Sequence, residues 1–197
     1  MEEAHYNIYG NHLEKMKEIM NRLQECISKG AALLEAKTGM NPAEHIKSRI
    51  KADESMREKC RKLALPETTE TALFVIHDAI GLRVVCSFLD DVYALRDYIA
   101  MQHTLEVIEE KDYIRHVKPN GYRSYHMIVK TEGYYAEIQL RTISMDTWAA
   151  LEHHLRYKKT ISRNTALIFE ELKRCADELA STDVTMQTIR NMINGEL

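Results

Sequence analysis

Residues 118–126 bring together several residue types that commonly contact nucleotides. The segment reads Lys-Pro-Asn-Gly-Tyr-Arg-Ser-Tyr-His, in which a Pro-x-Gly turn separates a lysine from an aromatic ring and an imidazole. The lysine can contact a phosphate, Tyr122 offers a ring on which a base can stack, and His126 can form hydrogen bonds. We therefore interpret this segment as a nucleotide-binding loop.

Two strands are predicted beside this loop, over about 123–131 and 134–142, with a tight turn at Glu132-Gly133 between them. Because side chains alternate between the faces of a strand, each of these strands has one polar face and one apolar face. If the two polar faces coincide, one surface carries five functional side chains: Tyr122, His126, Glu137, Gln139 and Arg141. A sheet with one ordinary solvated face is the alternative, although such a face rarely needs this mixture.

A helix predicted over residues 53–64 carries a basic stripe, with Asp53 as a plausible N-cap. Three polar residues share one face of this helix: Ser55, Lys59 and Lys62. Three apolar residues on an adjacent face would dock it: Met56, Cys60 and Leu63. Arg49 and Lys51 precede the helix, and cations beside the free N–H groups of a helix start form a phosphate site. The alternative is a solvated basic face.

Two acidic residues at strand positions are candidates for a metal site. Asp78 lies just before a strand predicted over 81–88, which carries Arg83, and Glu137 lies on the second hairpin strand. Mg²⁺ prefers carboxylate oxygens and usually takes one or two from the protein together with substrate phosphates. Spacing alone does not select this pair among the acids of the chain.

The elements that position these residues follow from periodicity. Residues 4–29 show a helical apolar pattern that continues through about 37, and residues 145–158 and 164–194 are also predicted to be helical. Asp90 or Asp91 is predicted to cap a helix that runs to about Gln102, and residues 105–110 are predicted to form a short strand. We predict a single α+β domain over 1–197, with a core at about 41–160 and terminal helices at about 4–37 and 164–194.

The bulk properties narrow the class of protein. The chain has 197 residues, a formal net charge of −3 and 45% hydrophobic residues, as expected for a globular domain without a general attraction to nucleic acid or to an anionic membrane. We find no apolar run near 18 residues and no signal-peptide pattern, so we expect a cytoplasmic protein that is not inserted in a membrane. Four scattered cysteines contain no CxxC pair, which argues against a zinc ribbon.

Together these segments resemble the synthetase domain of the RelA/SpoT-type alarmone enzymes, and the length resembles the small alarmone synthetases. Five pieces carry the resemblance, in the order of the family: Arg49-x-Lys51-x3-Ser55-x3-Lys59; Asp78-Ala79-Ile80-Gly81-Leu82-Arg83; Asp112-Tyr113-Ile114 leading into Lys118-x-Asn120-Gly121-Tyr122-Arg123-Ser124-x-His126; Glu137-Ile138-Gln139-Leu140-Arg141-Thr142; and Trp148-Ala149-x2-Glu152-His153. Each piece alone is a weak signal, whereas five in register are highly specific.

The resemblance implies a mixed, nucleotidyltransferase-like sheet and a (p)ppGpp synthetase of the stringent response, a GTP pyrophosphokinase. Such an enzyme transfers pyrophosphate from ATP to the 3′-hydroxyl of GTP or GDP and releases AMP. It also implies the residue roles. Asp78 and Glu137 would be catalytic and hold Mg²⁺. ATP would contact Arg49, Lys51, Ser55, Lys59, Lys62 and Arg83. The guanine nucleotide would contact Lys118, Asn120, Tyr122, His126 and Gln139.

The long terminal helices suggest a homo-oligomer, and a tetramer is favoured because small synthetases commonly form tetramers through such helices. Two other functions stay open. One is a toxin-type relative that pyrophosphorylates the 3′ end of tRNA or makes adenosine alarmones, which should need more basic surface than a net charge of −3 suggests. The other is a nucleotide-binding sensor without catalysis, which should have lost one of the two acids.

Overall fold

A mixed sheet of five strands forms the centre of the computed structural model, which describes residues 6–157 and 165–195. The strands are β1 (Ala43–Ile50), β2 (Ile80–Cys86), β3 (Glu106–Asp112), β4 (Tyr125–Thr131) and β5 (Tyr134–Thr142). Their order in the sheet is β1-β2-β5-β4-β3. The central β2 and β5 pair in parallel, and the remaining neighbours are antiparallel.

Five α-helices surround the sheet in the described residues. They are α1 (Leu13–Thr38), α2 (Asp53–Lys62), α3 (Leu89–Ala100), α4 (Ile143–Tyr157) and α5 (Thr165–Asn194). A short 3₁₀ helix (Gly10–His12) precedes α1, and a π-helical turn (Thr71–Val75) precedes β2. The predicted fold class, a mixed sheet with helices around it and long helices at both ends, is confirmed. None of the helices in the described ranges is long and apolar enough to cross a membrane.

The two faces of the sheet differ because apolar and polar residues alternate along its strands. Leu82, Ile138 and Met127 lie on neighbouring strands of one face and are fully or almost fully buried. Helices α1 and α3 cover this face, and α1 contributes a helically spaced apolar stripe that includes Met16 and Leu23. The core therefore lies on one side of the sheet, and the other side is left for polar residues.

Strand β1 was not predicted, although residues 43–50 alternate in burial as an edge strand does. Its polar composition hid the period of two. The first helix also begins later than predicted, at Leu13 instead of residue 4, and residues 1–5 lie outside the described residues. Ile8 and Tyr9 are buried instead of helical, because the Ile8 amide donates to Asp53 and the Tyr9 hydroxyl donates to the Lys51 carbonyl at 2.7 Å.

Two details of α2 differ from the prediction. Ala52, not Asp53, occupies the N-cap position, and Asp53 uses its carboxylate for the Ile8 amide and for Arg57 at 2.9 Å. The helix ends at Lys62, so Leu63 lies beyond it and is 53% exposed instead of docked. Met56 and Cys60 are fully buried, which confirms the predicted docking face for those two residues.

Strand β2 ends before the predicted boundary at residue 88. Phe88 occupies the N-cap position of α3, and its amide donates to the Asp91 carboxylate at 3.0 Å. The prediction that Asp90 or Asp91 caps this helix is therefore wrong, although Asp91 stabilises the helix start from within the first turn. The hairpin turn is confirmed, with positive φ angles at Glu132 and Gly133.

Helices α4 and α5 are joined through Trp148. Its side chain is buried, and its indole donates to the Leu172 carbonyl at 2.8 Å.

Candidate active site

One face of the sheet carries the polar residues that the sequence singled out. Across the strands, Arg49 lies opposite Gly81, and Gly81 lies beside Glu137. One step further along, Gln139 lies beside Arg83 on one side and opposite His126 on the other. Residues paired in this way share a face of the sheet, so the prediction that the polar faces of the two hairpin strands coincide is confirmed.

A basic pocket lies over β1, β2 and β5 on this face, with a volume of about 170 Å³. Its lining residues are Lys47, Ser48, Arg49, Lys51, Asp78, Gly81, Leu82, Arg83, Glu137 and Gln139. Gly81 lies in the lining of this pocket, and a Cβ atom added there would make an ordinary contact of 3.9 Å with Arg49 Cγ. Arg49 and Arg83 are diagonal neighbours across the antiparallel pair, a spacing of about 7–8 Å that leaves room for one planar ring between two guanidinium groups.

Asp78 is held at the rim of β2 by two lysines. Its Oδ2 atom lies 2.9 Å from Lys51 Nζ and 2.6 Å from Lys59 Nζ. Its Oδ1 atom is buried and has no hydrogen-bond partner among the residues that the structure describes. A buried carboxylate oxygen without a partner is costly unless something else binds it, and it is a ligand type that hard divalent cations prefer.

Glu137 is half-enclosed in the centre of the face. Its Oε1 lies 3.0 Å from His126 Nδ1, and its Oε2 accepts a hydrogen bond from Gln139 Nε2 at 2.8 Å. Burial by itself raises the pKa of Glu137, but the hydrogen bond and charge of His126, the Gln139 amide and the charge of Lys59 lower it to about 2. Glu137 is therefore a carboxylate anion at neutral pH.

A second cavity, of about 200 Å³, lies over β3 and β4, and we call it the aromatic pocket. Its lining residues are Glu109, Lys111, Tyr113, Lys118, His126, Ile128 and Glu137. The rings of Tyr113, Tyr122 and His126 meet edge to face, with centroids 5.3–6.3 Å apart. The ammonium group of Lys118 lies 4.2 Å from the centroid of Tyr113 and 5.2 Å from that of Tyr122. Glu137 lines both pockets.

The loop that carries Tyr122 is held from two sides. The Asn120 side chain accepts a hydrogen bond from the Tyr122 amide at 3.2 Å, and Gly121 adopts a φ of +89°. Arg123 donates to the Ala176 carbonyl at 3.2 Å and to Asp177 at 2.8 Å, which anchors the loop to α5. The Tyr122 hydroxyl lies 2.8 Å from His126 Nε2, so the loop and β4 are joined at the pocket.

Most of the predicted site residues come together. Six of them line the basic pocket: Arg49, Lys51, Asp78, Arg83, Glu137 and Gln139. Three of them line the aromatic pocket: Lys118, His126 and Glu137. Tyr122 and Asn120 adjoin that pocket, and Lys59 contacts the basic pocket through its ion pair with Asp78.

Two predicted phosphate contacts on α2 lie outside the pocket linings. Ser55 is exposed in the first turn of α2 and lies outside the lining. Lys62 is also outside, with a side chain that is 72% exposed and paired with Glu58 at 2.7 Å.

Several residues that the structure places at the site had no role predicted from the sequence. Lys47 and Ser48 line the basic pocket from the unpredicted strand, and for Lys47 the period of two that includes Arg49 was a usable signal. Tyr113 and Lys111 line the aromatic pocket. Asp146 on α4 lies 3.3 Å from Arg83, a contact without any signal in the sequence.

Known proteins share this arrangement of chain and sheet. A sequence profile for the region found in RelA/SpoT proteins matches residues 48–162. GTP pyrophosphokinase YwaC from Bacillus subtilis is 38% identical over 164 residues, which cover 79% of this chain and 78% of that protein. The crystal structure of small alarmone synthetase 2 from Bacillus subtilis gives a TM-score of 0.79 at 35% identity, with 92% of this chain and 97% of that chain covered. Small alarmone synthetase 1 from the same organism, bound to its product pppGpp, gives a TM-score of 0.77 at 29% identity, with 91% and 94% covered.

The chain belongs to the RelA/SpoT family. Within that family its structural neighbours are small alarmone synthetases, which match it along more than nine-tenths of its length and not merely over the sheet. The predicted resemblance is therefore confirmed.

Proposed function

We propose that this protein is a (p)ppGpp synthetase that transfers the β,γ-pyrophosphate of ATP to the 3′-hydroxyl of GDP or GTP. The 3′-oxygen forms a bond to the β-phosphorus, the bond from that phosphorus to the α,β-bridging oxygen breaks, and AMP leaves. One observation carries the proposal: Glu137 lines both the basic pocket and the aromatic pocket. Two nucleotides bound in these pockets would meet at one carboxylate.

We place ATP in the basic pocket. Arg49 and Arg83 would hold the adenine between their guanidinium groups, as their diagonal spacing allows. Lys51 and Lys59 already lie together around Asp78 and supply positive charge for the phosphates. Ser55, in the first turn of α2, would add its hydroxyl beside the free N–H groups of the helix start. Lys62, predicted as a further phosphate contact, is the weakest member of this set because it points away to Glu58.

The acceptor nucleotide would occupy the aromatic pocket. Tyr122 offers a ring on which guanine can stack, and Tyr113 closes the pocket at an angle to it. Lys118 would move off the two rings toward a phosphate when a base takes its place. Asn120 keeps the loop in shape, and His126 and Gln139 lie at the Glu137 end, where the 3′-hydroxyl must arrive.

Asp78 and Glu137 would together hold Mg²⁺. The donor set fits this ion, because the two side chains supply carboxylate oxygens at the rim and centre of one pocket and Asp78 Oδ1 has no other partner among the described residues. When bound, the ion supplies neutralisation of the charge on the transferred pyrophosphate. The lysines on Asp78 Oδ2 leave the other oxygen open for this purpose.

Glu137 acts chiefly through its charge in this proposal. A general base works best when its pKa lies near the working pH, and the pKa of Glu137 is lowered to about 2. Its low pKa suits a permanent metal ligand and a hydrogen-bond acceptor for the 3′-hydroxyl. Most of the catalysis would then come from holding the two nucleotides in line and neutralising phosphate charge.

We also propose that the protein assembles with further copies of itself, with a tetramer favoured. Apolar side chains are exposed along the outer parts of α4 and α5, including Leu151, Leu155, Phe169, Met192 and Ile193. Patches of this kind mark interaction surfaces. Light scattering coupled to size-exclusion chromatography gives the mass directly, and a mass of one chain at micromolar concentration would contradict this assembly.

The decisive experiment for the function uses purified protein, Mg²⁺ and ATP labelled on the γ-phosphate, with GDP, GTP or tRNA as the acceptor. We expect label in ppGpp or pppGpp, together with stoichiometric AMP. Label that appears only on tRNA would refute the proposal in favour of a tRNA-modifying relative. Binding of nucleotides without any AMP would refute it in favour of a sensor. The variant Glu137→Gln in the same assay controls for contaminating kinases.

A further inference from the structure

Arg141 is a charged residue that is only 4% exposed, and each of its three guanidinium nitrogens donates a hydrogen bond. Its Nη2 atom lies 2.6 Å from the Tyr122 hydroxyl and 2.9 Å from Gln139 Oε1. Its Nε donates to Ser124 at 3.3 Å. Through these contacts Arg141 holds Tyr122, whose ring adjoins the aromatic pocket, and Gln139, which lines the basic pocket. It also lies 5.2 Å from the centroid of the Tyr122 ring.

The charge of Arg141 is balanced by the Asp146 carboxylate, which also contacts Arg83 in the lining of the basic pocket. Asp146 Oδ1 lies 3.2 Å from Arg141 Nη1 and 3.3 Å from Arg83 Nη1. A single oxygen atom thus serves two guanidinium groups. Burial and the neighbouring Arg141 lower the pKa of Arg83 and Asp146 raises it, and Arg83 Nε is buried without a hydrogen-bond partner among the described residues. The Arg83 guanidinium group therefore has an unused hydrogen-bond donor, and a bound ligand can draw the group away from Asp146.

These contacts form one continuous path between the proposed nucleotide sites. The path runs from Tyr122 through Arg141 and Asp146 to Arg83, and every step is a hydrogen bond or ion pair of 2.6–3.3 Å. When Arg83 turns to stack on a ring, its hold on Asp146 weakens. The Asp146 carboxylate then contacts Arg141 alone. This stronger ion pair holds the Arg141 side chain in place against the Tyr122 hydroxyl. Binding in one pocket would in this way order the platform of the other.

We propose that Arg141, held by Asp146, is a positioning residue that couples the binding of ATP to the binding of the guanine nucleotide. The inference rests on the proposed function and deepens it. Coupling of this kind is reciprocal: GDP must raise the affinity for ATP by the same factor by which ATP raises the affinity for GDP. The alternative is that the Arg141 pair merely stabilises the fold, as buried ion pairs elsewhere do.

The chain contains a matched control for that alternative. Arg190 on α5 and Asp91 on α3 form a comparably buried ion pair, with Nη1 and Oδ1 2.7 Å apart and side chains 9% and 8% exposed. Neither residue lines the two pockets. The variants Arg141→Lys and Arg190→Lys both keep the positive charge and lose the planar fork that serves several acceptors. A loss of stability is expected in both, whereas a loss of coupling is expected in Arg141→Lys alone.

The test measures binding without turnover. Calorimetry gives the affinity for an ATP analogue with a methylene bridge between the α- and β-phosphates, with and without saturating GDP, in the presence of Mg²⁺. We expect GDP to tighten binding of the analogue about 5-fold or more in the wild type and in Arg190→Lys, a usual size for coupled sites. In Arg141→Lys the factor should fall to nearly 1. Asp146→Asn should lower it similarly, which keeps the test open if Arg141→Lys fails to fold.

A further variant tests whether the coupling passes through the Tyr122 hydroxyl or is lost because the Arg141 substitution makes the site less rigid. Tyr122→Phe keeps the ring and removes the atom that Arg141 contacts, so it should reduce the coupling factor, and adding Arg141→Lys should reduce it little further. A wild type that makes alarmone but shows no coupling overturns this inference alone. Coupling that persists in Arg141→Lys overturns it as well. A wild type that makes no alarmone overturns the proposed function, through a separate assay.

Discussion

Lys59 Nζ lies 2.6 Å from Asp78 Oδ2, so the C-terminal half of α2 is tied to the segment just before β2 by a partly buried ion pair. Lys51 shares the same carboxylate oxygen. In the proposed function a triphosphate draws these two ammonium groups away from Asp78 and releases the carboxylate for a cation. The two lysines around one carboxylate therefore leave a net positive charge at this end of the basic pocket, as a triphosphate would need.

The contrast between Lys59 and Lys62 tests this view of the ATP site. Lys59→Gln should raise the KM for ATP about 10-fold or more, because a hydrogen bond to a charged group contributes about 1.5–3 kcal/mol. Lys62→Gln should change it less than about 2-fold, because the Lys62 side chain is 72% exposed and its pair with Glu58 is worth little. Steady-state kinetics at saturating GDP compares the two. Equal effects would show that α2 approaches the phosphates along its whole length.

Replacing Glu137 by glutamine removes charge while keeping shape. Glu137→Gln should bind both nucleotides within a few-fold of the wild type and lose turnover by about 100-fold or more, a usual size for removing a group that acts in the transition state. Calorimetry measures the binding and AMP release measures the turnover. Asn21 on α1 belongs to neither pocket lining, so Asn21→Asp serves as a control for a change of one charge elsewhere. Near-normal turnover of Glu137→Gln would contradict the role of the carboxylate.

The low pKa of Glu137 also predicts how stability depends on pH. Its folded pKa of about 2 lies below the unfolded value near 4.3, so its contribution is present above about pH 4.3 and is lost as the pH falls toward 2. Glu137→Gln has no such contribution to lose. The difference in unfolding free energy between wild type and variant should therefore shift against the wild type by about 1–3 kcal/mol between pH 6 and pH 2.5. Urea titrations at several pH values measure it, and parallel pH curves would refute the assignment.

The sequence predicted the hairpin site well because a period of two fixes which side chains share a face. Glu137, Gln139 and His126 were placed together on that basis, and the strand register and the 3.0 Å contact of Glu137 with His126 confirm it. Lys62 shows where a prediction from a shared helix face fails. It shares an angular position with Ser55, but seven residues of helix carry it about 10 Å further along the axis.

The sharing of Asp146 between two arginines lay beyond prediction for another reason. It depends on where α4 approaches the sheet, which no local pattern encodes. Arg141 was expected on the open surface with its neighbours, and it does lie on that face, but α4 and the loop bury it. Local periodicity thus predicted which side chains share the polar face of the sheet, whereas contacts between distant elements determined how those side chains are held.

Stacking of guanine on Tyr122 predicts a selective loss of acceptor affinity. Tyr122→Ala should weaken binding of GDP in the absence of ATP by about 5- to 150-fold, since stacking of a base on an aromatic ring contributes about 1–3 kcal/mol. Binding of the ATP analogue alone should change far less, because Tyr122 does not line the basic pocket. Calorimetry of each nucleotide by itself avoids the coupling between sites. Equal weakening of both would argue against a stacking role.

Gly121 should be important to the loop that carries Tyr122 for two separable reasons. Gly121 and Gly133 both adopt positive φ angles, +89° and +85°, so alanine at either position costs about 1–2 kcal/mol of backbone strain. At Gly133 an added Cβ meets nothing within 4 Å, whereas at Gly121 it would lie 2.7 Å from the Ala176 Cβ atom on α5. Gly133→Ala should therefore lower only the Tm, and Gly121→Ala should lower the Tm further and weaken GDP binding.

The double variant Gly121→Ala/Ala176→Gly isolates the steric part of that loss. Removing the Ala176 Cβ atom relieves the closest contact but leaves the backbone strain and the 3.2 Å approach to Lys173 Cα. GDP affinity should recover partly, relative to Gly121→Ala, even though glycine within α5 costs about 1 kcal/mol of stability. Calorimetry and thermal unfolding on the same samples separate the two effects. No recovery of affinity would mean that α5 does not set the position of the loop, and that the positive φ at Gly121 alone does.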